Sequence, residues 1–153
     1  MSKNTTFDVL EMARDSFEKR QLVRDHRRAL IHAKADVILT KLNRAEKENN
    51  AKAVQKWKLE FCKCSRGIDL IDLAQERDWL QVAEVELGVL NAQIASTRNL
   101  KDKVYLMKEA ELKENDVFEQ HIRIKQMERD LGISRKVVSD KKKVALRQKS
   151  TTR

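Results

Sequence analysis

A chain of 153 residues that contains no proline and only three glycines has few ways to turn. Tight turns draw on Gly, Pro, Asn and Asp, which accept positive φ, preset φ, or bond to their own backbone. A sheet fold of this length would need many such turns, so few, long helices are expected. The remaining composition agrees: 41% hydrophobic, 5% aromatic and 37% charged. Helices that each bury a narrow strip and leave the rest in water tolerate that balance.

The most continuously apolar stretch runs from Ile68 to Ile94 and lies mid-chain. Leu73, Leu80, Leu87 and Ile94 repeat every seven residues, with Ala83 and Leu90 between them, the pattern of a coiled-coil seam. Trp79, Val82, Val85 and Val89 form a second stripe on the same helix. That stripe either packs against a third helical segment or stands exposed as an anchor for another protein. Trp57 and Phe61 can extend either a core or the same patch.

The flanking regions read as two arms. In the first, Val9, Val23, Leu30, Val37 and Ala51 share a heptad column that Ser16 and Arg44 interrupt. His26, Ala33, Thr40, Val54 and Phe61 make the companion column, widened by Leu10, Phe17, Ile31, Ile38 and Leu42. Asn49-Asn50 reads as a soft spot within this arm. Ser65-Arg66-Gly67 reads as its end, because Gly67 can take positive φ beyond a helix C-terminus. The second arm weakens across Ser96-Thr97-Arg98-Asn99 and then resumes, with Val117, Ile124, Leu131, Val138 and Ala145 seven apart. This column is expected to face Val9, Val23, Leu30 and Val37 across an antiparallel pair. The expected fold is all-α, a long antiparallel two-helix coiled-coil hairpin forming one helical domain over 1–153. Its arms cover 7–64 and 68–148, and the tails 1–6 and 149–153 are frayed. A compact three- or four-helix bundle broken at Asn50, Gly67 and Asn99 is the competing fold.

Catalytic signatures are missing from the sequence: it has no Gly-rich phosphate loop, HExxH, nucleophile elbow or paired-cysteine metal spacing. His26, His32 and His121 are scattered. Cys62 and Cys64 point about 200° apart on a helix, so neither a mutual disulfide nor a shared ion is expected. No catalytic, cofactor-binding or metal-binding residue is assigned, and a non-enzyme is expected. The N-terminal stretch has no apolar signal region and no run approaches the roughly 18 apolar residues of a membrane span, so a cytoplasmic protein without membrane insertion is expected.

The formal net charge of +9 makes an acidic partner plausible. Bases gather near both ends: Arg14, Lys19, Arg20, Arg24, Arg27 and Arg28 in the first arm, Arg135, Lys136, Lys141, Lys142, Lys143 and Arg147 in the second. A hairpin would bring them together as one basic pole, opposite an apolar pole at the turn. Leu131-Gly132-Ile133-Ser134-Arg135-Lys136 also resembles the turn and recognition-helix start of a helix-turn-helix, which makes DNA binding the alternative function. Against it, Glu128 stands where a small residue is usual, and Lys141 where an apolar one is.

The opening Phe7-Asp8-Val9-Leu10-Glu11-Met12-Ala13-Arg14, followed by Glu18 and many basic residues, resembles the start of the FliJ/YscO-like stalk proteins of flagellar and virulence type III secretion. Length, basicity and the near-absence of Pro and Gly extend the likeness over the whole chain. The resemblance implies a monomeric two-helix coiled coil whose terminal end enters the ring of the secretion ATPase. The remainder would touch the export gate or escort chaperones. Placed by geometry on that plan, Arg14, Arg20, Arg24, Lys136, Lys141 and Arg147 lie at the ATPase end, and Trp79, Val82 and Val89 near the tip. Leu131-Gly132 interrupts the helix that the family plan would keep continuous.

Overall fold

A computed structural model describes residues 2–133, with side chains from Asp8 onward. It is all-α: α1 spans Ser2–Lys47, α2 Ala51–Ser96 and α3 Leu100–Asp130. At 1.5 Å per residue α1 and α2 are each about 69 Å long and α3 about 46 Å. Among the described residues there is no strand.

The α1–α2 turn is made by two asparagines with opposite tasks. Asn49 takes φ 52°, a left-handed conformation that Asn tolerates better than most residues. It closes α1 in a Schellman arrangement, its N–H donating to Glu46 O at 3.2 Å and the Asn50 N–H to Ala45 O at 3.0 Å. Asn50 then starts α2, its side chain accepting from the Ala53 N–H at 3.2 Å. At the second turn Thr97 caps α2, and the Asn99 side chain accepts from the Lys101 N–H at 3.0 Å. Gly132, at φ 70°, closes α3, with the Ile133 N–H reaching Glu128 O at 2.7 Å.

These turns differ from the two-arm plan. Asn49-Asn50 is a full reversal, because Asn49 accepts positive φ and the Asn50 side chain caps α2, neither of which helix propensity registers. Gly67 lies inside α2. A Cβ there would meet Ile31 Cδ1 at 3.3 Å, so this glycine allows a close helix approach and makes no turn. The chain therefore forms three helices in place of arms over 7–64 and 68–148. The bundle reading placed breaks at Asn50 and Asn99 as found, and a third at Gly67 that is not there.

Both outer helices run antiparallel to α2 and pack on it, yet α1 and α3 make no close backbone approach to each other. The α3 side of α2 is built on Leu73 and Leu80 against Ile124, with Val117, Met127, Leu131 and Ile133 around them. Val117, Ile124 and Leu131 thus form a seam as expected, but against α2 and not α1; Val138 and Ala145 lie outside the described residues. The α1 seam also departs from expectation. Val9, Val23, Leu30 and Val37 are 54%, 54%, 58% and 54% exposed. The seam is the next column along: Leu10, Ile38 and Ala45 are buried, and Phe17, Arg24 and Ile31 half-buried, all at seven-residue spacing. One residue turns the helix by about 100°, so the two columns cannot both face α2.

Two substitutions test these assignments. Asn50→Ala should lower stability by about 1 kcal/mol through loss of the cap. Gly88→Ala, whose Cβ would meet nothing within 4 Å, should raise it by about 0.5–1 kcal/mol. Urea unfolding of both variants checks the signs; a gain at Asn50 or a loss at Gly88 would contradict the helix boundaries.

Candidate interaction surfaces

The polar centre of the α1–α2 seam is Asp78, a buried carboxylate. Arg20 holds it with two bonds, Nε to Oδ2 at 2.8 Å and Nη2 to Oδ1 at 2.7 Å, and Arg24 Nη2 adds a third at 2.9 Å. Planar guanidinium forks suit such bidentate contacts. Arg24 also lies 5.3 Å from the Phe17 ring centroid, and Phe17 meets Trp79 edge-on at 5.2 Å. One turn away Arg28 donates to Asp72 at 2.7 and 2.9 Å and also reaches Gln75. Further along, Glu86 accepts from Arg14 of α1 at 2.8 Å and pairs with Lys113 of α3, tying both outer helices to one side chain.

Burial by itself would raise the Asp78 carboxyl, but the hydrogen bonds from Arg20 and Arg24 outweigh it and hold the group below the usual carboxylate range. Glu86 is likewise pushed up by burial and pulled down further by Lys113 and Arg14, so it too ends low. The Arg20 guanidinium is held above its ordinary value, chiefly by its bond to Asp78.

This geometry relocates the expected poles. Arg14, Arg20 and Arg24 are engaged within the chain, directly beside the stripe that was expected at the far end. Of that stripe, Val82 is 2% exposed, Val89 is buried and Val85 half-buried, so it belongs to the α1–α2 seam. Trp79 alone shows a substantial surface, at 45%. Arg135, Lys136, Lys141 and Arg147 lie outside the described residues. The expected apolar tip and the first arm's share of the basic pole therefore meet in one place. The signal for this was in the sequence, since an arginine column faces a run of acids from Asp69 to Glu86.

Two surfaces missed at the outset stand out instead. One is the outer column of α1. The other is the hairpin end. α3 stops where Arg66 Nη1 donates to Leu131 O at 3.0 Å, so among the described residues α2 before Arg66 pairs with α1 alone. Between His32 and Arg66 there are eight Lys or Arg residues against four Asp or Glu. Lys41 and Lys56 flank the Trp57 ring at 4.7 and 4.9 Å.

Among the described residues no cluster of three or more His, Cys, Asp or Glu side chains could hold a metal ion. Cys62 is exposed and Cys64 buried, both as free thiols. No described helix is long and apolar enough to cross a membrane. No protein-family model, curated protein or solved structure matches the chain.

Asp78→Ala should cost about 3 kcal/mol, because it strands the half-buried Arg24. Asp72→Ala, at a more exposed pair, should cost less than about 1 kcal/mol. Equal losses in urea unfolding would remove Asp78 from its central place. The depressed carboxyls also set an acid dependence. Their contribution is complete above the ordinary carboxylate range near pH 4 and is lost as pH falls through that range to the folded-state values. The Asp78→Asn, Glu86→Gln double variant should therefore lose less thermal stability than the parent between about pH 5 and about pH 2.

Proposed function

We propose that this chain is a non-enzymatic helical adaptor and, within that class, a stalk-type subunit of a type III secretion apparatus. Its basic end would dock on the secretion ATPase, and other surfaces would meet export-gate or chaperone proteins. The observation that carries the reading is the hairpin end. It is a two-helix antiparallel rod, uncovered by α3 among the described residues, with eight basic side chains against four acidic ones. A rod of that kind presents charge on all sides and suits insertion into an acidic ring or cleft. The opening residues that resemble the FliJ/YscO-like stalk proteins support the particular class.

The proposal departs from the family plan in two respects. The docking charge is assigned to the Asn49-Asn50 end and not to the α1 N-terminal half, where Arg14, Arg20, Arg24 and Arg28 are engaged with α2. A third helix also lies along what would otherwise be a plain two-helix stalk. Duplex DNA binding through the segment that starts at Leu131 is the other reading of the same basicity.

Purified chain mixed with the secretion ATPase of its own organism should form a complex and stimulate ATP hydrolysis. Lys52→Glu, Lys58→Glu and Lys63→Glu together should weaken that complex by at least tenfold, about 1.4 kcal/mol, with helix content unchanged by circular dichroism. Loss of salt-sensitive duplex binding in Arg135→Ala, Lys136→Ala, with no ATPase complex in the parent, would favour the DNA reading instead.

A further inference from the structure

The outer side of α1 carries a coiled-coil face that nothing in the chain's described residues covers. Val9, Val23, Leu30 and Val37 occupy one heptad column, each more than half exposed. Met12, His26 and Ala33 fall on the companion column and are exposed as well. The seam to α2 uses Leu10, Phe17, Arg24, Ile31 and Ile38, so this face looks away from that column by roughly 130° around the axis. From Val9 to Val37 it covers four heptads and roughly 42 Å, enough to sustain a two-stranded coiled coil. A stripe of that length is larger than the scattered apolar residues that a monomer's surface normally shows.

The charges flanking the stripe select its occupant. Immediately before the column residues stand Asp8, Asp15, Leu22, Ala29 and Asp36; four positions after them stand Ala13, Arg20, Arg27, Lys34 and Lys41. One flank is thus acidic and apolar, and the other is basic. When two such helices run parallel, the flank before the core of one meets the flank after the core of the other, five residues on. Asp15 then lies opposite the second copy's Arg20, and Asp36 opposite its Lys41, on both sides of the dyad. Antiparallel helices would instead set the four basic residues against themselves and the aspartates against aspartates. Arg20 keeps half its side chain exposed while bound to Asp78, so it remains open to a second carboxylate. Ser16, Lys19 and His26 interrupt the stripe and lower its affinity, which suits a reversible dimer. α3 packs on α2 without approaching α1, which leaves the face clear among the described residues.

We infer that two copies of this chain associate in parallel through the outer face of α1, contrary to the monomer expected from the stalk resemblance. The face meets the basic hairpin end at Lys34, Asp36, Val37 and Lys41, and the docking test changes Lys52, Lys58 and Lys63 of α2 alone, so the two readings can fail separately.

Sedimentation equilibrium of the full chain should show a reversible dimer. Val23→Glu with Leu30→Glu should weaken it at least tenfold while leaving helix content unchanged, since both side chains are exposed in the protomer. Asp36→Lys and Lys41→Asp should each weaken self-association, and the two variants mixed should recover it. For orientation, Cys62 and Cys64 are first replaced by alanine. Val9→Cys and Val37→Cys should then each cross-link to their own copy, and a mixture should give no Val9–Val37 product. A chain that stays monomeric, a dimer indifferent to the Val23 and Leu30 changes, or cross-linking only in the mixture would overturn the inference.

Discussion

Everything in this molecule depends on α2 serving two neighbours at once. A helix flanked by one partner needs a single apolar stripe; α2 carries two, and they differ in chemistry. The α3 side is centred on Leu73 and Leu80 packed against Ile124, with the Arg77–Glu128 and Lys113–Glu86 pairs along its edges. The α1 side combines buried Val82 and Val89 with a carboxylate, Asp78, that three arginine bonds hold in place. From Gly67 to Ser96, α2 has six acidic residues and one basic. That acidity is what orients the arginines of α1 inward. A bonded buried charge adds little net stability over an apolar pair, but its geometry discriminates strongly against wrong partners. Both seams bury apolar side chains, and the α1 side alone sets a buried carboxylate at its centre.

The same division shapes the outside. Where α2 is acidic, Arg14, Arg20, Arg24 and Arg28 of α1 are paired with its carboxylates. Beyond Arg66 the acids thin out, and the hairpin end becomes basic. Charge is therefore distributed along the rod as a consequence of which half of α2 needs to hold α1. The Val9 column is a second consequence. α1 has apolar residues on two adjacent columns, and the ion pairs commit one of them to α2. The other is left facing water, or a second copy.

Much of the architecture was legible in the sequence, and the failures have identifiable physical causes. The missing prolines and scarce glycines pointed to long helices, and Leu73-Leu80 was visible as a seam. Periodicity could not choose between the Val9 and Leu10 columns. The Leu10 column contains Arg24, which looks like a fault until Asp78 is set opposite it. Helix ends were misjudged for a different reason. Gly67 was weighted by its backbone freedom, although Ile31 needs the space its absent side chain leaves. Asn49-Asn50 was weighted by modest propensity, although one residue accepts positive φ and the next caps the following helix. The stripe of Trp79, Val82, Val85 and Val89 was correctly picked out as a second face, but whether it met α1 or another protein was not decidable from one helix alone.

Native-state hydrogen exchange tests the central role of α2 most directly. Since α1 and α3 each lean on α2 and not on each other, α3 should open in a sub-global step that leaves the α1–α2 pair protected. The amides of α2 between Ile68 and Leu90 should exchange only through global unfolding. If all three helices instead exchanged with one common free energy, or if α2 opened before either neighbour, the two-faced helix would not be the element on which the fold rests.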